Sequence, residues 1–170
     1  MMGEPAHVQQ LLEYTSSKMD VCEDPLGSNR SPDIDAWADE FGVDRGSYWC
    51  GLMVGHTRKH CGIWIPERHS YDVASCDEWY LQGEQAGLFS KTPVVGAAIL
   101  YTNWKKISGG RFDGRYDIHH TGTVIRTKPA LHSAEGNTTL GKYDVNGIVL
   151  AVKSVNVPAV LGYILPAKVQ

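Results

Sequence analysis

The chain has 170 residues, of which 42% are hydrophobic and 21% charged, and its formal net charge is -3. That length suits one domain around a single core, and the composition excludes large-scale disorder. The slight acidic balance argues against a nucleic-acid partner, and no apolar run is long enough to span a bilayer.

In chain order, Val8, Leu11, Leu12 and Tyr14 stand near helical spacing and predict a helix over His7 to Met19. Glu23 to Asn29 is rich in turn formers and reads as a loop. Ser31-Pro32 then resembles an N-cap followed by proline at the first helical position, with Asp33 and Asp35 in the first turn. Ile34, Trp37, Ala38 and Phe41 make that helix's apolar face, and Gly42 stops it. A third helix is expected from about Cys50 to Gly62. A fourth is expected over Val73 to Gln82, closed by Gly83.

After Pro93 short β-rich runs take over: Val94–Thr102, Ile118–Arg126, Ala130–Gly136, Gly147–Lys153 and Val160–Leu165. Gly, Asn, Asp and Pro separate them, as in an antiparallel sheet. Ile107 to Tyr116 is expected to form a long mobile loop. Helices first and strands afterwards give the α+β class, with a five- to six-stranded antiparallel sheet. The expected domain organisation is a single unit over 1–170.

Four cysteines, Cys22, Cys50, Cys61 and Cys76, are too few and too irregular for a disulfide framework, and they contain no CxxC pair. Cys61 and Cys76 could pair, but reduced packed thiols are the expectation for a cytoplasmic product. Met1 to Asp20 lacks a hydrophobic block with a cleavage site, so synthesis without a signal peptide is expected.

Cys50 stands apart because it is placed at a helix N-terminus. There the positive helix end, together with a histidine that accepts the proton, would hold a thiol as thiolate. His119-His120-Thr121-Gly122-Thr123-Val124-Ile125 is a strand that can mount that histidine. Its side chains alternate between faces, so only one of the two rings can meet the thiol. Glu135, fifteen residues after His120, can reach the far imidazole nitrogen from a neighbouring strand, the third role in a triad. Asn137 would share a face with Glu135 if that strand persists. Taken singly, Glu135 also fits a solvated hairpin end and Asn137 a turn residue; the ordered set points to chemistry.

The segments Gly27-Ser28-Asn29-Arg30, Tyr48-Trp49-Cys50, Pro93-Val94-Val95-Gly96-Ala97, His120-Thr121-Gly122-Thr123-Val124-Ile125 and Glu135-Gly136-Asn137-Thr138 follow one another in the order seen in CHAP domains. These are the cysteine, histidine-dependent amidohydrolases/peptidases. The resemblance covers roughly residues 27 to 166, beyond an N-terminal helix at 7–19, and extends to the closing Leu161-Gly162-Tyr163-Ile164-Leu165-Pro166. It departs at Ala97, where the family commonly has aspartate. It implies a papain-like core and cleavage of peptidoglycan, as an N-acetylmuramoyl-L-alanine amidase or a peptide endopeptidase. Carried over, Cys50 is the nucleophile, His120 the base, Glu135 the orienting acid and Asn137 a supporting polar group.

Tyr48, Trp49, Trp104 and His119 are the expected substrate contacts, with Tyr48 also a guess for an oxyanion donor. The expected partner is bacterial peptidoglycan, with no nucleic acid, no membrane insertion and a monomeric state. The setting that fits is a phage endolysin reaching the wall after holin-type release. A delivered antibacterial effector fits as well. A non-catalytic wall-binding or phage structural module ranks lower because thiol, imidazole and carboxylate are all present. An intracellular protease of proteins ranks lower because of the order of the blocks.

No cofactor is expected. His56 and His60 have metal-binding spacing, but Thr57-Arg58-Lys59 between them lacks a glutamate and brings cations, so an exposed polar helix end is the reading. Some CHAP domains bind calcium in an acidic loop. Asp39, Glu40 and Asp44 lie near Cys50 without EF-hand spacing, which leaves calcium open but not expected.

Overall fold

A computed structural model describes residues 4–19, 21–102, 118–138, 149–155 and 157–169. It is an α+β structure in which four helices precede and flank a six-stranded antiparallel sheet. The helices are α1 (Ala6–Ser17), α2 (Pro32–Glu40), α3 (Cys50–His60) and α4 (Cys76–Gln85). The strands are β1 (Phe89–Ser90), β2 (Ala98–Thr102), β3 (Ile118–Arg126), β4 (His132–Thr138), β5 (Val149–Ser154) and β6 (Val160–Ile164), in the spatial order β1-β6-β2-β3-β4-β5.

α2 forms as its sequence dictates. The Ser31 hydroxyl accepts the Ile34 N–H at 3.3 Å, Pro32 opens the helix, and Gly42 follows it at φ +62. Ile34, Trp37, Ala38 and Phe41 are all buried against α3 and its neighbours. The fourth helix differs from expectation. Ser75 accepts the Glu78 N–H and restarts the chain, so a 3₁₀ turn (Ser70–Ala74) and α4 replace one helix. Gly83 does not close α4. It lies inside it, where a Cβ would meet Ile164 Cδ1 at 2.5 Å, and the positive φ comes at Gly87.

The strand edges shift for local reasons. Val94 to Gly96 belongs to a turn, with Ala97 N–H bonded to Val94 and Gly96 at φ +83, so β2 starts only at Ala98. β4 runs two residues further than expected. β1, unforeseen, pairs with β6 at the sheet edge. Gly147, Ile148 and the expected loop at Ile107–Tyr116 lie outside the described residues. Along β2, alternation divides the core: Ala98 and Leu100 join the helices, while Ile99 and Tyr101 join a second cluster with Val124 and Tyr163.

α3 is the element that brings the site together, and small residues let it approach its neighbours. A Cβ on Gly51 would lie 2.3 Å from the Val73 carbonyl oxygen, and one on Gly136 would lie 2.6 Å from the Trp49 ring. The C-terminal end of α3 is only in part the exposed polar end expected from its sequence, since Lys59 and His60 are exposed but the residues before them are not. Thr57 and Arg58 are both fully buried. The Arg58 guanidinium donates to the backbone carbonyls of Trp64, Gly96 and Ile164 and lies 5.4 Å from the Trp79 ring centre. Burial lowers its pKa to about 9. The cation ties the segment after α3 and the turn before β2 to the end of β6.

Gly51→Ala should lower stability by roughly 1–3 kcal/mol, because a backbone oxygen cannot move aside as a side chain can. Urea unfolding of the variant would check this; an unchanged midpoint would mean that α3 does not sit so close to the 3₁₀ turn.

Candidate active site

The first residue of α3 is Cys50, whose side chain opens on a cleft of about 730 Å³ shared with Tyr48, Cys76, His119, His120 and Asn137. The Cys50 sulfur shares the cleft with the His120 imidazole, and that ring and the Thr121 backbone N–H both favour its charged form. The other side of the imidazole is engaged by Glu135, with His120 Nε2 and Glu135 Oε2 3.1 Å apart. With Nε2 taken, Nδ1 is the nitrogen left for the thiol. Three groups that are 70 and 15 residues apart in the chain are thus brought together.

Glu135 is only 5% exposed, and its second oxygen is satisfied from within the sheet. Tyr101 donates to Oε1 at 2.6 Å and Ser133 at 2.5 Å. Tyr101 faces His120 across the β2–β3 pair, and Ser133 precedes Glu135 by two residues on β4, hence on the same face. Burial would raise the Glu135 pKa, but the hydrogen bonds and charge of His120, then Ser133 and Tyr101, hold it below the ordinary carboxylate value. Burial and the Glu135 charge push Tyr101 up, so its hydroxyl remains a donor.

The same logic continues toward sulfur. Burial would lower the His120 pKa, yet the hydrogen bonds and charges of Cys50 and Glu135 raise it to about 10. Cys50 is shifted the other way, well down. The hydrogen bond from Cys76 lowers it most, burial opposes, and the contacts with His120 and Thr121 add to the lowering. These shifts favour a thiolate–imidazolium pair with a carboxylate behind it. Chemically it can present a nucleophilic sulfur beside a proton donor, at the end of a helix whose first N–H groups have no intrahelical partner.

Of the expected residues, Cys50, His120 and Glu135 converge. His119, the alternate ring, points to solvent at the cleft. Tyr48, 73% exposed, also lines it. Trp49 is corrected: it is fully buried, its Nε1 donates to Glu23 Oε1 at 2.9 Å, and its ring lies against Gly136, so it contacts the core and not the cleft. Asn137 lines the cleft but does not share Glu135's strand face in regular alternation. Its φ is +53, and the β4–β5 register shifts between Glu135 and Thr138, so a bulge turns it out of alternation. Trp104 lies outside the described residues.

Four contributors went unnoticed in the sequence. Tyr101 and Ser133 hold Glu135. Glu23, itself buried, holds Trp49 and accepts the Asn29 N–H, fixing the residue before the sulfur. Cys76 stands with its sulfur 3.9 Å from that of Cys50. Only Ser133, at the same-face spacing from Glu135, carried a readable signal.

The other candidate sites are accounted for by local pairing. His56 Nδ1 is 2.6 Å from Glu40 and its Nε2 is 2.9 Å from the Tyr14 hydroxyl, while His60 stacks on Tyr14. Asp39 pairs with Arg45, and Glu40 also with Lys59. Among the described residues no group of three or more His, Cys, Asp or Glu side chains is arranged to hold a metal ion, and no helix is long and apolar enough to cross a membrane. No protein-family model, curated protein or solved structure matches the chain.

The pKa directions fix the pH range of the ion pair. Cys50, lowered, keeps its charge as pH falls below the range of an ordinary thiol; His120, raised, keeps its proton as pH rises to about 10. The pair therefore extends from below the ordinary thiol range up to about pH 10. Iodoacetamide should label Cys50 readily at neutral pH, read peptide by peptide in the mass spectrometer. His120→Ala should move the midpoint of labelling up by part of the shift, because the Cys76 contact that lowers Cys50 most remains. Coincident profiles for the two proteins would remove the ion pair.

Proposed function

We propose that the protein is a cysteine hydrolase of peptidoglycan stem peptides, built on a papain-like CHAP fold. The observation that carries this reading is the convergence of Cys50, His120 and Glu135 at an open cleft, in the chain order in which the CHAP-like sequence blocks occur. A helix that begins at the sulfur and a sheet that carries imidazole and carboxylate support the same reading.

The thiolate of Cys50 attacks the carbonyl carbon of the scissile amide. His120 gives its proton to the leaving nitrogen, the C–N bond breaks and a thioester remains on the sulfur. Water then adds to the thioester with His120 as general base, releasing the acid and restoring the thiolate. Throughout, Glu135 stabilises the imidazolium and fixes its orientation. The Cys50 N–H, first in its helix, is a suitable donor to the oxyanion. Tyr48, exposed on the same cleft, is the substrate contact we favour. This chemistry would serve a phage endolysin or a secreted antibacterial amidase alike.

Digestion of purified peptidoglycan, with mass spectrometry of the products, tests the reading. Free lactyl ends on muramic acid with intact stems would mark an amidase, and shortened stems or split cross-links an endopeptidase. Cys50→Ala should abolish turnover and His120→Ala should reduce it by roughly 10²–10⁴-fold, with circular dichroism unchanged. Glu135→Gln should slow it severely but less than loss of the imidazole. Equal activity in wild type and Cys50→Ala would refute the mechanism.

A further inference from the structure

The sulfur of Cys76 stands 3.9 Å from that of Cys50 and lines the same cleft, yet the hydrolytic chemistry gives it no bond to make. Its position is built by two elements. Cys76 opens α4 just after the Ser75 cap, and the preceding 3₁₀ turn lies against Gly51 so closely that a Cβ there would meet Ala74 Cα at 3.3 Å. Both thiols are thus the first residues of their helices. A disulfide needs about 2.05 Å between sulfurs, so the two must close by roughly 1.9 Å, a distance that side-chain rotation can cover. Cys61 is packed in a separate apolar cluster with Leu11 and Ile63, and Cys22 is exposed.

We propose that Cys50 and Cys76 form an oxidation site in which hydroperoxide converts the nucleophile into a Cys50–Cys76 disulfide, reversibly shutting the cleft's chemistry off. The Cys50 thiolate attacks one peroxide oxygen, the O–O bond breaks, alkoxide or hydroxide leaves and takes a proton, and Cys50 carries a sulfenic acid. The Cys76 thiol then attacks the Cys50 sulfur. The S–O bond breaks, and hydroxide leaves as water with the proton released from Cys76. In sum two thiols and one hydroperoxide give one disulfide, one alcohol or water, and one further water. A dithiol reductant reverses it by exchange. The opposite pKa directions suit the roles, with Cys50 lowered for attack on peroxide and Cys76 raised so that it stays protonated until the sulfenic acid forms. The loss of hydrolysis rests on the function proposed above; formation of the disulfide does not.

The test is treatment of the full chain with stoichiometric hydrogen peroxide, alkylation of remaining thiols and tryptic mass spectrometry. Cleavage at arginine and lysine leaves Cys50, Cys61 and Cys76 on separate peptides. The expected result is a linked pair of the Cys50 and Cys76 peptides, lighter by two hydrogens and separated again by dithiothreitol. In Cys76→Ser, a second equivalent of hydrogen peroxide should carry Cys50 on from sulfenic to sulfinic acid, which dithiothreitol does not reverse. Hydrolysis should fall about tenfold or more on oxidation, since the thiolate is the nucleophile, and return on reduction only in the wild type. Sulfinic Cys50 beside an alkylated Cys76 in the wild type, or a link to Cys61 instead, would overturn the proposal. A correct disulfide in a protein that cleaves no peptidoglycan would leave this site standing and remove the hydrolase reading.

Discussion

A carboxylate buried in a sheet is the constraint from which the rest of the site follows. Glu135 has almost no contact with water, and an ionised carboxylate in such a place is tolerated only when its oxygens are satisfied and its charge is met. The donors come from three adjacent strands: Tyr101 from β2, His120 from β3, Ser133 from β4 itself. The order β2-β3-β4 is therefore a requirement of the charge as much as of the core. Because the imidazole is its one cationic neighbour in that set, Glu135 favours the protonated ring, and the protonated ring favours the thiolate. Each charge is held by the next, and the last of them faces the open cleft.

The helix end that supplies the sulfur has to be placed as carefully as the ring. α3 is tied at both ends by buried charged groups. At its start a second buried carboxylate, Glu23, takes the Trp49 indole N–H on one oxygen and the Asn29 N–H on the other. At its far end Arg58 grips three backbone carbonyls. Between them Gly51 lets a neighbouring backbone come close enough to bring Cys76 alongside. Trp49 thus serves the site from behind: its ring, pressed against Gly136 on β4, links the residue before the sulfur to the strand that carries Glu135.

Much of this was legible where a local rule decides the outcome. The Ser31-Pro32 start of α2 and the Cys50 start of α3 depend on capping and helix ends, and strand alternation lets only one of His119 and His120 meet the thiol, the resemblance implying which. All of these act over a few residues. What stayed hidden depends on register and packing between distant segments. Tyr101 meets Glu135 because of how β2 pairs with β3, and no spacing in the chain announces it. Cys76 meets Cys50 because a 3₁₀ turn rests on a glycine 23 residues away from Ala74. Trp49 went inside and Asn137 left regular alternation for related reasons. A residue at a helix cap has no fixed face until the helix docks, and a bulge cancels the two-residue period on which the strand reading relied.

The concentration of buried polar groups is itself an argument about purpose. An apolar replacement of matching shape often serves stability as well as a buried ion pair does, and sometimes better. Ala98, Leu100, Ala134 and Ile164 show that this sheet packs on its helices by ordinary apolar contact. Against that background Glu135, Ser133, Tyr101 and His120 gather at one point, together with two thiols of oppositely shifted pKa at the cleft. Folding alone gives no reason to assemble that set, and it suits the proposed holding of sulfur as an anion beside a proton donor.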